Sequence, residues 1–147
     1  MTYRYLTIQH AVDTHALTVE KSGGGTLGVI EIDKLTSVLE HIQNDDYYPT
    51  FEEKLTHLFH SACKFHCFQD GNKRIAISLC AQMLLINGYL KGLNHFIREA
   101  ENISYHTAAG NIPKDLLGRW MCAILRGDED DESLKLEIYH AISNGTP

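Results

Sequence analysis

The chain has little proline, three residues in 147, and no segment rich in glycine and serine long enough to serve as a linker. That excludes a collagen-like or Pro-rich extended protein and argues against long disorder. No uninterrupted apolar run approaches the roughly 18 residues of a membrane span. The start, MTYRYLTIQHAVDTHAL, lacks a basic stretch followed by an apolar core, so no signal peptide is expected and the reading is cytoplasmic. Basic residues are also scarce: 13 Lys and Arg against 19 Asp and Glu give a net charge of −6. A broad nucleic-acid surface is not expected, and neither direct DNA binding nor membrane association is read from this balance. Of four cysteines, Cys63 and Cys67 lie one helical turn apart, Cys80 and Cys122 sit among apolar residues, and no CxxC pair occurs. They read as reduced thiols and not as a disulfide framework. What remains is an ordinary globular composition, 44% hydrophobic and 22% charged, at the length of one domain, 1–147.

The apolar spacing is mostly helical. Ile8, Ala11, Val12, Ala16 and Val19 form one stripe, with Thr7 as N-cap and the Gly23–Gly25 run as terminator. Val29 to Ile32 alternates briefly, as a short β-flap or a plain turn would. Leu35, Val38, Leu39 and Ile42 form a second stripe. Thr50 and Glu53 fit a capping box opening a third helix through Leu55, Leu58, Phe59, Ala62 and Cys63, to end near Phe65. A fourth helix, from Gly71-Asn72 to Asn87, is apolar nearly all round and reads as central and buried. A fifth is expected over Asn94–His106, and a sixth from Pro113 through Trp120 to Leu125, with Trp120 in the core. The run Asp128–Glu132 reads as a solvated turn before a last helix, within 128–147, that carries Leu134, Ile138, Ala141 and Ile142. The fold class is mainly α: one helical bundle around a central buried helix.

The segment with chemistry in it is His66-Cys67-Phe68-Gln69-Asp70-Gly71-Asn72-Lys73-Arg74, the loop that opens the buried helix (66–74). Unpaired N–H groups and the positive end of the dipole make a helix start an anion site. Gly71 lets backbone approach a phosphate closely. Lys73 and Arg74 oppose the dipole there, which is easier to understand if an anion lies between them. Asp70 is an oxygen ligand of the kind Mg²⁺ takes beside substrate phosphates. His66 is placed to accept a hydroxyl proton, and Phe68 to anchor the loop inward. The plain alternative is a polar loop with Asp70 as N-cap and both cations solvated. A zinc site from His57, His60, Cys63, His66 and Cys67 is a weaker reading, because ligands on one helix cannot close a tetrahedron. Arg98 and Arg119 could reach a nucleotide, but nothing in the sequence places either.

HCFQDGNKR resembles the signature of the Fic/Doc (Fido) superfamily, HxFx(D/E)GNxR. It is similar in particular to the death-on-curing (Doc) branch, HxFxDxNKR, matching at His66, Phe68, Asp70, Asn72, Lys73 and Arg74. The surroundings are similar over about 90 residues, from the first helix to Asn87-Gly88. The resemblance implies a Fido helical bundle with His66 as general base, Asp70 holding Mg²⁺, and Gly71 and Asn72 on phosphate. Fic nucleotidyl transferases commonly continue GNGRxxR, whereas this chain has Lys73 at the second Gly and Ile77 at the second Arg. Both departures point away from AMP transfer and toward the Doc reaction, in which ATP gives its γ-phosphate to a threonine of elongation factor Tu. Lys73 and Arg74 then hold the triphosphate. The Doc branch further implies a toxin–antitoxin module and a cognate antitoxin. A nucleotidyl transferase and a non-catalytic Fido binding module are the alternatives. An inhibitory helix of the (S/T)xxxE(G/N) kind is matched by Ser133 and Glu137 but broken by Ile138, so that helix reads as packing.

Overall fold

The computed structural model describes residues 3–21, 32–64, 72–127 and 131–145, with the side chains of 15–21, 32, 72, 144 and 145 outside that description. Seven helices run through these residues: α1 (Ile8–Lys21), α2 (Ile32–His41), α3 (Phe51–Lys64), α4 (Asn72–Ile86), α5 (Leu90–Ala108), α6 (Lys114–Arg126) and α7 (Glu132–Gly145). No strand occurs among the described residues, and none of their helices is long and apolar enough to cross a membrane. The protein is mainly α, as the periodicity predicts. The glycine run, the flap position over 29–31 and most of the acidic run (128–130) lie outside the described residues; Ile32, expected in the flap, is the first residue of α2.

The helix starts follow local chemistry. The His10 N–H donates to Thr7 Oγ1 at 3.2 Å, so Thr7 caps α1 as expected. The Glu53 N–H donates to Thr50 Oγ1 at 3.2 Å, and the Thr50 hydroxyl donates to the Glu53 carboxylate at 3.1 Å. Asp131 Oδ1 accepts the Leu134 N–H at 3.0 Å and caps α7. Pro113, expected in the first turn of α6, stands just before it with extended geometry (φ −73°, ψ 162°). Gly127 closes α6 in the left-handed region at φ 77°.

α4 packs against α1, α3 and α5, and α6 covers α3 and α5. Ile75, Ala76, Leu79, Cys80, Met83 and Leu84 of α4 are buried. Its burial is not all-round, however. Ile77 and Ala81 are only partly buried, and Leu85 and Ile86 are 53% and 37% exposed beside the fully buried Met83 and Leu84. Gly88 (φ 83°) reverses the chain there, and α5 begins at Leu90, four residues before the expected Asn94. Gly92 sits inside α5 because α6 passes close by: a Cβ at this position would meet Ile124 Cγ2 and the Ile124 carbonyl oxygen, each at 3.4 Å.

Phe59 of α3, Phe96 of α5 and Trp120 of α6 form an aromatic cluster with centroids 5.7–6.0 Å apart. Trp120 is a core residue, and its indole N–H donates to Glu99 Oε1 at 3.2 Å. Cys63 and Cys80 are buried free thiols, and Cys122 is a half-buried one.

Two further devices hold the fold where the sequence shows only a charge and an amide. Lys54 on α3 is fully buried, and its ammonium donates to the Ile42 carbonyl and to Asp45 Oδ1, both at 2.7 Å. Asn87, just past α4, clasps the N-terminal segment. It accepts the Arg4 N–H at 2.8 Å and donates to the Arg4 carbonyl at 3.0 Å and the Met83 carbonyl at 2.8 Å. The N-terminal segment and α2 are thereby tied to the helices on either side of the motif loop.

Candidate active site at the start of the central helix

The end of α3 and the start of α4 bracket the motif loop. His66, Phe68, Asp70 and Gly71 lie outside the described residues, as does the side chain of Asn72, whose backbone opens α4. Lys73 and Arg74 are described. Ile75 and Ala76, 1% and 0% exposed, pin the first turn of α4 into the core. At about 100° per residue, that burial turns Lys73, Arg74 and Ile77 toward another side of the helix. Lys73 is exposed, and Arg74 and Ile77 are half-buried.

These three residues form one wall of a cleft of about 710 Å³, and α5 supplies the other with Arg98, Glu101 and Tyr105. Its volume lies within the range of small-molecule sites. Among the described residues three cations face it against one carboxylate, in a chain whose total charge is −6. Lys73 also reaches the end of α3 electrostatically. Burial pushes the Cys63 thiol up to about 12, and the charges of Lys73 and Lys64 pull it partly back.

Arg98 is the residue that sequence reasoning could not place. Its signal was present in outline: Arg98, Glu101, Asn102 and Tyr105 recur at i, i+3, i+4 and i+7, the polar face of an amphipathic helix. Which neighbour that face meets depends on helix packing. Arg119 goes elsewhere. It forms an ion pair with Glu137 of α7 and borders a second groove, of about 610 Å³, between α3 and α6. The α7 helix packs on α6 with Leu134 buried, in keeping with its reading as a packing helix.

The histidines of α3 have local partners. His57 stacks on Tyr48 with centroids 4.7 Å apart, and its Nδ1 lies 2.9 Å from Lys114 Nζ. Burial, with the positive charges of Lys114 and the neighbouring histidines, lowers the His57 pKa to about 4. Burial, with Lys114 and Lys64, lowers that of His60. Among the described residues no group of three or more His, Cys, Asp or Glu could hold a metal ion.

Among the described residues the fold is helical, and a cleft lined by Lys73, Arg74 and Arg98 opens beside the start of α4. The model of the Fic/DOC family matches residues 5–84, more than half of the chain and all of the motif loop, and the chain belongs to that family. Its members are generally transferases that act on proteins. Comparisons with curated proteins and with solved structures gave no match.

Proposed function

We propose that the chain is a Doc-like toxin of a toxin–antitoxin module, acting in the cytoplasm. It transfers the γ-phosphate of ATP to a hydroxyl of a protein target, a threonine of elongation factor Tu being the target the resemblance suggests. The observation that carries the proposal is the composition of the α4 wall: Lys73 and Arg74 at the helix start, followed by the apolar Ile77 in the same cleft. A nucleotidyl transferase of this family commonly has a small Gly and a second Arg at positions 73 and 77. Here the first is a cation and the second cannot hold phosphate.

Phosphoryl transfer asks for positioning and charge more than for covalent help. The target hydroxyl oxygen attacks the γ-phosphorus, the bond from that phosphorus to the β,γ-bridging oxygen breaks, and ADP leaves. His66 takes the hydroxyl proton. Lys73 and Arg74 neutralise the phosphate oxygens, and Gly71 and Asn72 offer backbone at the positive end of the α4 dipole. The described cleft holds cations and one carboxylate, Glu101, a donor set for phosphate oxygens and not a cage for a bare cation. Asp70 would be the protein carboxylate that holds Mg²⁺ beside the nucleotide phosphates. When bound, the ion supplies further charge neutralisation on the phosphates. An antitoxin segment is the expected protein partner.

The test is transfer of label from γ-³²P- or α-³²P-ATP to protein in a bacterial lysate and to purified elongation factor Tu, beside a His66→Ala control. A γ-label that the control lacks supports the kinase reading. An α-label replaces it with nucleotidyl transfer. Absence of both labels, with ATP binding also absent by calorimetry, replaces it with a non-catalytic binding module.

A further inference from the structure

The two walls of the cleft belong to one helical hairpin. α4 and α5 pack along their length and are joined by the short turn at Gly88. Ile77 lies 11 residues before Gly88 and Arg98 lies 10 after it, so the hairpin sets Arg98 level with Ile77. Lys73 and Arg74 stand three to four residues further from the turn than Ile77, about 5 Å along the axis. The cleft's cations are therefore staggered along its length, two near the start of α4 and one about a turn deeper on the facing helix. The positive charge is thereby drawn out along the cleft, and neighbouring phosphates of a chain can use more of it than a single phosphate can. Glu101, one turn along α5 from Arg98, is the only carboxylate among the described residues of the cleft and opposes any anion there.

We infer that Arg98 is a third phosphate-holding residue and that the cleft takes a polyphosphate in preference to a monophosphate. The inference rests on the reading of the cleft as a nucleotide site. It adds a residue from outside the motif, and outside the 5–84 segment that the family model matches. Arg98 grips the phosphate chain from α5, so the grip depends on hairpin packing and not on the motif loop alone. A guanidinium suits this role because it offers several donors to phosphate oxygens in a fixed geometry.

Calorimetric titration of the full chain with ATP, ADP and AMP in the presence of Mg²⁺ tests the assignment. Wild type is expected to bind ATP at least tenfold more tightly than AMP. Arg98→Ala should weaken ATP binding by about tenfold or more and leave AMP binding much less changed, which shrinks the ratio. Arg98→Lys should restore part of the loss. Glu101→Gln should tighten ATP binding, and Arg98→Gln, which keeps a long polar side chain, should lose ATP affinity as Arg98→Ala does and keeps the test decisive if Arg98→Ala does not fold. An Arg98→Ala protein with the wild-type ATP-to-AMP ratio, beside a Lys73→Ala protein that has lost it, overturns the role of Arg98 and leaves the nucleotide site standing. Wild type that binds none of the three overturns the nucleotide site itself.

Discussion

Replacing Lys54 by Met removes a buried ammonium while nearly keeping the volume of its stem. Three groups lose by it. The Ile42 carbonyl and Asp45 Oδ1 each lose a 2.7 Å charge-assisted hydrogen bond, and the Tyr5 ring loses a cation 5.6 Å from its centroid. The losses are not equal. The Asp45 side chain is 76% exposed and regains water, so its share is small. The Ile42 carbonyl belongs to a fully buried residue, and leaving it unpaired costs about 1–3 kcal/mol. Two charge-assisted bonds at about 1.5–3 kcal/mol each are offset by the several kcal/mol needed to desolvate an ammonium. The net expectation for Lys54→Met is a loss of about 2 kcal/mol, or about 4–8 °C in Tm for a chain of this size. Asp45→Asn keeps an acceptor in place and should cost about half as much. Urea unfolding followed by circular dichroism reads both. The pH dependence is a second check. Burial pulls the Lys54 pKa down, but the hydrogen bonds and charges of Asp45 and Tyr5 outweigh it and leave the pKa above its ordinary 10.5. A raised lysine pKa contributes stability that is complete below 10.5 and is lost as pH climbs through the folded value. The gap between wild type and Lys54→Met should therefore be constant from pH 7 to 10 and close above that. A variant as stable as wild type at pH 7 would refute the reasoning.

Three further outcomes follow from the same packing. The lowered His57 pKa, about 4, means that the unfolded chain binds more protons between pH 4 and 6.5, so stability should fall on acidification through that window. NMR titration should find His57 neutral at pH 5.5, and Lys114→Gln should raise its pKa; a midpoint near 6.5 in wild type would contradict the assignment. Burial pushes the Cys63 thiol up to about 12 and Cys80 well above its ordinary value. Iodoacetamide at pH 8 should alkylate both only after denaturation, and rapid native labelling of either, read by peptide mass, would count against a closed core. Asn87→Ala removes all three bonds that hold Arg4 and Met83, at about 1–2 kcal/mol, and should speed tryptic cleavage after Arg4. An unchanged cleavage rate would mean that the clasp does not hold the N-terminal segment.

Much of the fold was legible in order along the chain. Apolar residues at helical spacing marked α1 to α4, α6 and α7, and Thr7 and Thr50 marked two of the starts through bonds to residues three positions on. The start of α5 was not legible, because Gly92 looks like a helix breaker until α6 is seen passing within 3.4 Å of its missing Cβ. The motif could be read for the same reason as the caps: its residues are neighbours in sequence, and a helix start is an anion site by local geometry alone.

Local order along the chain carries whatever is settled within a turn or two of helix: the helical class, the caps, the burial stripes, and a loop whose residue types and order mark the Fic/DOC family. Which distant groups meet is set by the packing of the helices. It set Arg98 on the cleft with Lys73 and Arg74, and Arg119 in an ion pair with Glu137. It buried the ammonium of Lys54 beneath the Ile42 carbonyl, and it joined Asn87 to Arg4 across 83 residues. Periodicity fixes a helix's faces but not the neighbour each face meets; that is set by how side chains of different helices interlock once the core closes.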